Sequence, residues 1–197
     1  MPGLLPQPRF VYYSRYSAVC AGRCKVYSLR PNYGDCECSD REAGRTTVLE
    51  NRPIFTIEAE LEAIITLGGT PHGERRFVGI AGGIVKGSIL NGRVLPGGAD
   101  WQVVRSDGAT DIQARYIIEA DTGGRVMIDS KGLRYGPPEV LEKLARGEKI
   151  DPNLYYFRTV MRFETADPAL HWLNRILALA RGQREALSVR LEVYEVK

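Results

Sequence analysis

From residue 53 onward, apolar and polar residues alternate along much of the chain. In Ile54–Leu61, Phe55, Ile57, Ala59 and Leu61 share one side against Thr56, Glu58 and Glu60. That two-residue period is the mark of a half-buried strand. Ile64–Leu67 prolongs it, and Gly68–Gly73 ends it in a turn. Arg75–Ile80 and Trp101–Arg105 predict two further short strands. Thr110–Ala120 alternates again, with Ile112, Ala114, Tyr116 and Ile118 opposite Gln113, Arg115, Ile117 and Glu119. Asp121–Gly124 reads as a hairpin turn into Arg125–Ser130. Tyr155–Thr165 predicts a long strand and Leu187–Val196 a closing one.

Residues 82–101 follow neither period. Six glycines break them into short aliphatic pieces, Ile84–Val85, Ile89–Leu90 and Val94–Leu95. Glycine marks bends and bulges, so these pieces read as strand fragments. The stretch ends in Asp100-Trp101, just after the Gly97–Gly98 bend. Such a bend can aim a carboxylate into a cavity, although a curved strand with an Asp-containing turn explains the same residues.

Two segments show helix signals. Pro137–Gly147 begins with prolines, carries Glu139 in its first turn and Arg146 in its last, and stripes Val140, Leu141 and Leu144 on one side. Asp167-Pro168 opens another segment, with Asp as the cap and Pro at the first helical position. Local pattern alone would carry that helix to about residue 180. Some nine or ten short strands with one sizeable helix predict an all-β protein. The fitting architecture is a closed antiparallel β-barrel, lipocalin-like in shape, in which closure removes the exposed sheet edges.

Residues 1–48 lack either period. They hold all four cysteines and five tyrosines, and the expectation is a poorly ordered extension ahead of a barrel domain over 49–197. Cys20 and Cys24 are spaced as a zinc pair, but the single residue between Cys36 and Cys38 fits poorly, and no metal is expected. Of the chain's 27 basic and 24 acidic residues, seven and four lie in 1–48, which leaves 20 of each beyond. The barrel portion therefore has no basic surplus for nucleic acid. No apolar run approaches a membrane span. Met1–Phe10 holds three prolines and no apolar signal core, so a cytoplasmic protein is expected.

Gly92-Arg93-Val94-Leu95-Pro96-Gly97-Gly98-Ala99-Asp100-Trp101 resembles the signature of the family called domain of unknown function 3237, or UPF0311. Matching pieces follow in order: Ala114-Arg115-Tyr116, Gly136–Val140, Tyr155–Thr159, Phe163-Glu164-Thr165, Trp172-Leu173-Asn174 and Val193–Val196. The resemblance covers about residues 52–197. It implies a closed antiparallel barrel, often dimeric, so a homodimer is admitted. It also implies that Asp167–Asn174 is a short turn followed by a strand. It says little about activity.

Common catalytic motifs are missing from the sequence. It holds two histidines, and no G-x-S-x-G elbow, P-loop or dinucleotide fingerprint. No cofactor is therefore expected. What remains is polar side chains on strands around a lumen that can hold one small ligand. The candidate catalytic residues are Asp100, Arg115, Arg158 and Tyr116, with the first three expected at one end of the lumen and Tyr116 or Tyr156 nearby. The candidate ligand-binding residues are Trp101, Tyr135, Tyr156, Glu164, Trp172 and Asn174. In the structural alternative, Arg115 and Arg158 pair with Asp100 or Glu164 and only fix the barrel register. The tyrosines and tryptophans equally suit core or interface. In the functional reading, an arginine polarises a carbonyl or holds a phenolate while a carboxylate or tyrosine moves the proton.

Three functions fit these residues. The first, towards which the residues lean, is a cofactor-independent isomerase or cyclase acting on a small aromatic or polyketide-like molecule of secondary metabolism, as in a ring closure of the chalcone-isomerase type. The second is a non-catalytic small-molecule-binding barrel, and the third a structural or oligomeric scaffold.

Overall fold

The structure is a computed structural model, described here for Leu49 and residues 52–197. The expected extension over 1–48 lies outside the described residues, as do its cysteines. Nine strands make one antiparallel sheet. They are β1 (Phe55–Thr70), β2 (Gly73–Gly87), β3 (Gly92–Val94), β4 (Gly98–Val104), β5 (Thr110–Ala120), β6 (Arg125–Tyr135), β7 (Tyr156–Thr165), β8 (Ala178–Arg184) and β9 (Ser188–Glu195). Helix α1 (Pro138–Ala145) follows β6, and a 3-10 helix (Pro168–Arg175) follows β7.

The sheet closes on itself. Each strand from β5 to β9 pairs with the next, β9 pairs with β1, and β1 with β2. Between β2 and β5 a single stave is shared by two short strands. β3 bridges Gly83–Val85 to Ile118–Ala120, and β4 bridges Glu74–Ile80 to Thr110–Arg115. The break between them is the Leu95-Pro96-Gly97 bend, where Gly97 takes a φ of 95° that a side chain would resist. Across it, Leu95 N–H donates to Ile117 O at 2.8 Å and Gly97 N–H to Ile80 O at 3.2 Å.

Alternation places the core. Along β5, every second residue from Thr110 to Ala120 is buried, and along β7 every second one from Phe157 to Thr165. Phe55, Ile57, Ile118, Val126, Ile128, Met161 and Val193 fill the interior. Phe55 and Phe163 meet edge to face, with centroids 6.0 Å apart.

The two ends of the barrel differ. At one end the 3-10 helix buries Leu170 and Leu173. It is capped by Asp167, whose carboxylate accepts from Ala169 N–H, and it is tied to β7 through Asn174 and Thr165. The short helix followed by β8 agrees with the family resemblance and not with the longer helix that local pattern suggests. The reason is tertiary: Ala178 and Ala180 are fully buried wall residues paired with β7 and β9. At the other end, β9 pairs with β1 only from Phe55 to Glu60. Beyond a register shift around Leu61, β1 and β2 run on together to Thr70 and Gly73.

The glycine-rich segment is less broken than its composition suggests. β2 passes through Gly82 and Gly83 without interruption, joining the pieces expected separately at Arg75–Ile80 and Ile84–Val85. Ile89–Leu90 lies outside any strand.

Candidate functional site

The parting of β1 from β9 opens a cavity of about 530 Å³ at the mouth of the barrel. Its walls include Glu62 and Ile64 from β1, Leu141 and Leu144 from α1, and Leu187 from the β8–β9 turn. Glu62 sits where the β1–β2 pairing skips, a bulge that re-aims side chains at a rim. Arg76, Arg134 and Arg184 all line it, with Thr110 beside them and Glu62 and Glu142 among the other wall residues.

Each arginine is carried there by its strand. Arg134 ends the inward face of β6, following Val126, Ile128, Ser130 and Gly132. Arg184 ends the inward face of β8, following Ala178, Ala180 and Gly182. Gly182 is required by its surroundings, since a Cβ there would stand 2.5 Å from the Phe157 ring. The bare glycine lets that ring lie against β8, and the Arg134 guanidinium sits 5.9 Å above its centroid. Arg184 is held differently. Its backbone N–H donates to Tyr155 Oη at 2.9 Å and its Nη1 to Ser188 O at 3.0 Å. Arg76 Nε meets Glu74 Oε1 at 2.8 Å.

Deeper in the lumen lies a short polar column. Asp100 faces inward, in register between buried Val78 and Ala114. Its carboxylate accepts from Gln102 Nε2 at 2.6 Å and from Gln113 N–H at 3.1 Å. Burial raises its pKa above the ordinary carboxylate value, against those two hydrogen bonds and the more distant Arg134 and Arg184 charges. Tyr116 is buried on the same face, and among the described residues its hydroxyl has no hydrogen-bond partner. Burial, and then the Asp100 charge, push its phenol well up, so it stays protonated. Thr159, in register with Gly132, also presents a buried hydroxyl without a partner. Burial lowers the Arg134 guanidinium to about 10, ahead of repulsion by Arg184, and burial lowers Arg184 as well. Among the described residues, no cluster of three His, Cys, Asp or Glu could hold a metal ion.

The family described as "Protein of unknown function (DUF3237)" matches residues 50–196. The chain belongs to this family. A UPF0311 protein of Rhodopseudomonas palustris is 41% identical over 151 residues, which span 77% of this chain and 99% of that one. The crystal structure of that bacterium's conserved protein of unknown function superposes with a TM-score of 0.71. A beta-barrel like protein from Acinetobacter baumannii is 38% identical over 76% of this chain and 96% of its own, with a TM-score of 0.66. A protein titled an enzyme from Penicillium herquei shares the fold at 16% identity and a TM-score of 0.58, over 78% of this chain and 98% of its own.

Against this DUF3237 barrel, the expected site residues divide. Asp100 and Tyr116 share the lumen. Arg115 does not: it lies on the outer wall with its guanidinium 2.8 Å from Asp129, its neighbour across β5 and β6. Strand parity decides this, because inward Tyr116 forces Arg115 outward. Arg158 is likewise outside, 5.3 Å over the Tyr156 ring and bonded through Nη1 to Phe157 O. Neither arginine pairs with Asp100 or Glu164. Tyr135 and Tyr156 stack on the outer surface at 4.9 Å. Trp101 packs outside against Phe77 at 4.8 Å, and Glu164 is exposed. Trp172 is partly buried in the 3-10 helix, and Asn174 bonds both backbone groups of Thr165. These last two sit at the end opposite the cavity.

The residues that sequence reasoning missed are Gln102, Arg134, Thr159 and Arg184. A signal for two of them exists in the sequence. The stripes Val126, Ile128, Ser130, Gly132 and Ala178, Ala180, Gly182 are small or apolar, and each ends in an arginine at the next position of the same face. Ending β6 at Ser130 hides the first stripe, and a local pattern that suits a helix to about residue 180 obscures the second.

No described helix is long and apolar enough to cross a membrane.

Proposed function

We propose that this barrel is a cofactor-independent isomerase or cyclase that works by acid–base chemistry on a small aromatic or polyketide-like molecule. The observation that carries the reading is the buried, inward-facing Asp100, raised in pKa and held by Gln102, with the unpartnered Tyr116 hydroxyl on the same inner face. A carboxylate moved towards neutral pH is a better proton acceptor than a solvated one. A phenol kept protonated can donate a hydrogen bond to an oxygen that gains charge.

In this reading Asp100 removes a proton from carbon next to a carbonyl. The electron pair moves onto the carbonyl oxygen, and the Arg134 and Arg184 charges with the Tyr116 hydroxyl stabilise the enolate. Asp100 then returns the proton to another carbon of the same molecule. In the ring closure Asp100 takes the phenol proton instead, the phenolate oxygen bonds to the β-carbon of the enone, the enone electron pair moves onto the carbonyl oxygen, and the proton is returned to the α-carbon. No atom or electron is gained or lost overall.

The test uses the purified full chain with 2-tetralone in D2O and with 2'-hydroxychalcone. Proton NMR should show accelerated exchange beside the ketone, or closure to flavanone, and Asp100→Asn should abolish it. Saturable binding of both compounds with neither exchange nor closure would leave a non-catalytic binding barrel in its place.

A further inference from the structure

We propose that the mouth cavity takes a ligand bearing a carboxylate, which docks on Arg134 while the body of the ligand packs against the apolar walls above the inner face that carries Asp100. This rests on the proposed function and names the substrate class that it admits.

The argument begins with an unmet requirement. Arg134 is enclosed by the barrel wall, yet among the described residues its guanidinium makes no hydrogen bond or ion pair. Its one specific contact is the Phe157 ring face. Several arginines on the outer wall are paired: Arg93 and Arg125 by Glu119, Arg105 by Asp111, Arg190 by Glu58. An enclosed guanidinium carries five donors and a full charge, and leaving it unpaired is costly unless a ligand completes it.

The surroundings add to this. Arg184 shares the cavity, and its single side-chain hydrogen bond uses Nη1 alone. The carboxylate inside the lumen, Asp100, is already engaged by Gln102 and by the Gln113 backbone. It forms no salt bridge with either arginine. Glu62 and Glu142 stand among the wall residues, but neither is bonded to Arg134. Among the described residues the Arg134 guanidinium is thus left without an anion bonded to it. A planar carboxylate matches the guanidinium fork with two parallel hydrogen bonds. A neutral ketone or phenol offers one acceptor and no charge. The apolar walls, Ile64, Leu141, Leu144 and Leu187, suit an aromatic or aliphatic body behind such a head group.

The probes are 2-naphthoate and the isosteric, uncharged 2-naphthamide, titrated into the full chain and followed by intrinsic fluorescence and ligand-observed NMR. The carboxylate should bind about tenfold tighter or better, as expected for a charge-assisted hydrogen-bonded pair. Arg134→Met should reduce naphthoate to the level of naphthamide and leave the amide unchanged. Arg134→Lys, a second variant that keeps the charge, should recover only part of the preference. Arg125→Met, on the outer wall, should change neither. Equal affinity for the two probes, no saturable binding of naphthoate, or a preference that survives Arg134→Met would each overturn the proposal. Equal affinity would still leave the acid–base reading standing, because that reading is scored on uncharged ketones. Conversely, exchange that survives Asp100→Asn would remove the acid–base reading and leave the carboxylate preference intact.

Discussion

On the outer wall, Arg115 rests against Asp129 across one strand pair, and Glu119 serves both Arg93 and Arg125. On the inner wall of the same sheet, Arg134 and Arg184 face a cavity without a carboxylate bonded to either. The first arrangement is solvated and costs little to form. Exposed pairs of this kind contribute at most marginally, because water already stabilises both charges. The second is paid for by the rest of the fold, since burial holds both guanidiniums below their ordinary pKa. In the proposed reading the inner arginines are placed for a ligand, and the paired outer ones only cover the surface.

The sharpest way to break that contrast is Asp100→Asn. The proton-transfer reading expects loss of about 10²–10⁴-fold in turnover of the ketone probes. Stability should move the other way. The folded-state pKa of Asp100 is raised, so its carboxylate penalises the native state above that pKa. The penalty fades as pH falls through it, and is gone below the unfolded value. Asp100→Asn should therefore melt a few degrees higher than the parent at neutral pH, with the gap closing in acid. Thermal melts from pH 4 to 8 check this, and a variant that is less stable throughout would make Asp100 a structural residue.

Arg134→Met comes next. Its guanidinium falls to about 10 on burial, and at about 1.4 kcal/mol per unit that is roughly 3 kcal/mol against the charged form. Some attraction to Asp100 is lost with it, so a net gain of about 2 kcal/mol, read by urea unfolding, is expected at neutral pH. The penalty lifts only above pH 10, where the native arginine begins to shed its proton. A destabilised Arg134→Met would place that residue with the structural arginines.

Glu119→Gln should cost less, about 2 °C in Tm, although it removes the partner of two arginines. Its pKa is lowered by the hydrogen bonds from Arg93 and then Arg125. Its contribution is therefore present at neutral pH and disappears as pH falls through the carboxylate range. Arg125→Met should do least, about 1 °C or under, and the effect should shrink further in 0.5 M salt. A large loss for either would erase the contrast between the walls.

How much of this could be read from the sequence varies with the reason for each residue. Alternation located Phe55–Leu61, Thr110–Ala120 and Tyr156–Thr165 because one face of each strand is buried and the other wet. It also carried the information that Arg115 and Tyr116 face apart, without saying which faces in. That choice is made by the neighbours: Tyr116 is in register with Ile128 and Ile128 with Phe163, all buried. Asp100 was legible from its glycine bend. Arg134 and Arg184 were not, because each lies at the end of a strand whose length only pairing defines. Arg134 sits opposite Thr110 and Phe157, and Arg184 opposite Val189. The cavity itself arises where β1 parts from β9, an event of register that no local pattern records.

The seam between the first and last strands has a consequence in time. Phe55 pairs with Val193 and Ile57 with Leu191, so the contacts that close the ring join residues separated by most of the described chain. During synthesis, the hairpins from β1 to β7 can form as they emerge, but β1 must wait with one edge bare until the final residues appear. Pairings of such long range are slow, because the entropy of loop closure is spent before any contact repays it. The mouth cavity, bounded by the β8–β9 turn, comes into being only at that last step, together with the closing of the apolar ring beneath it.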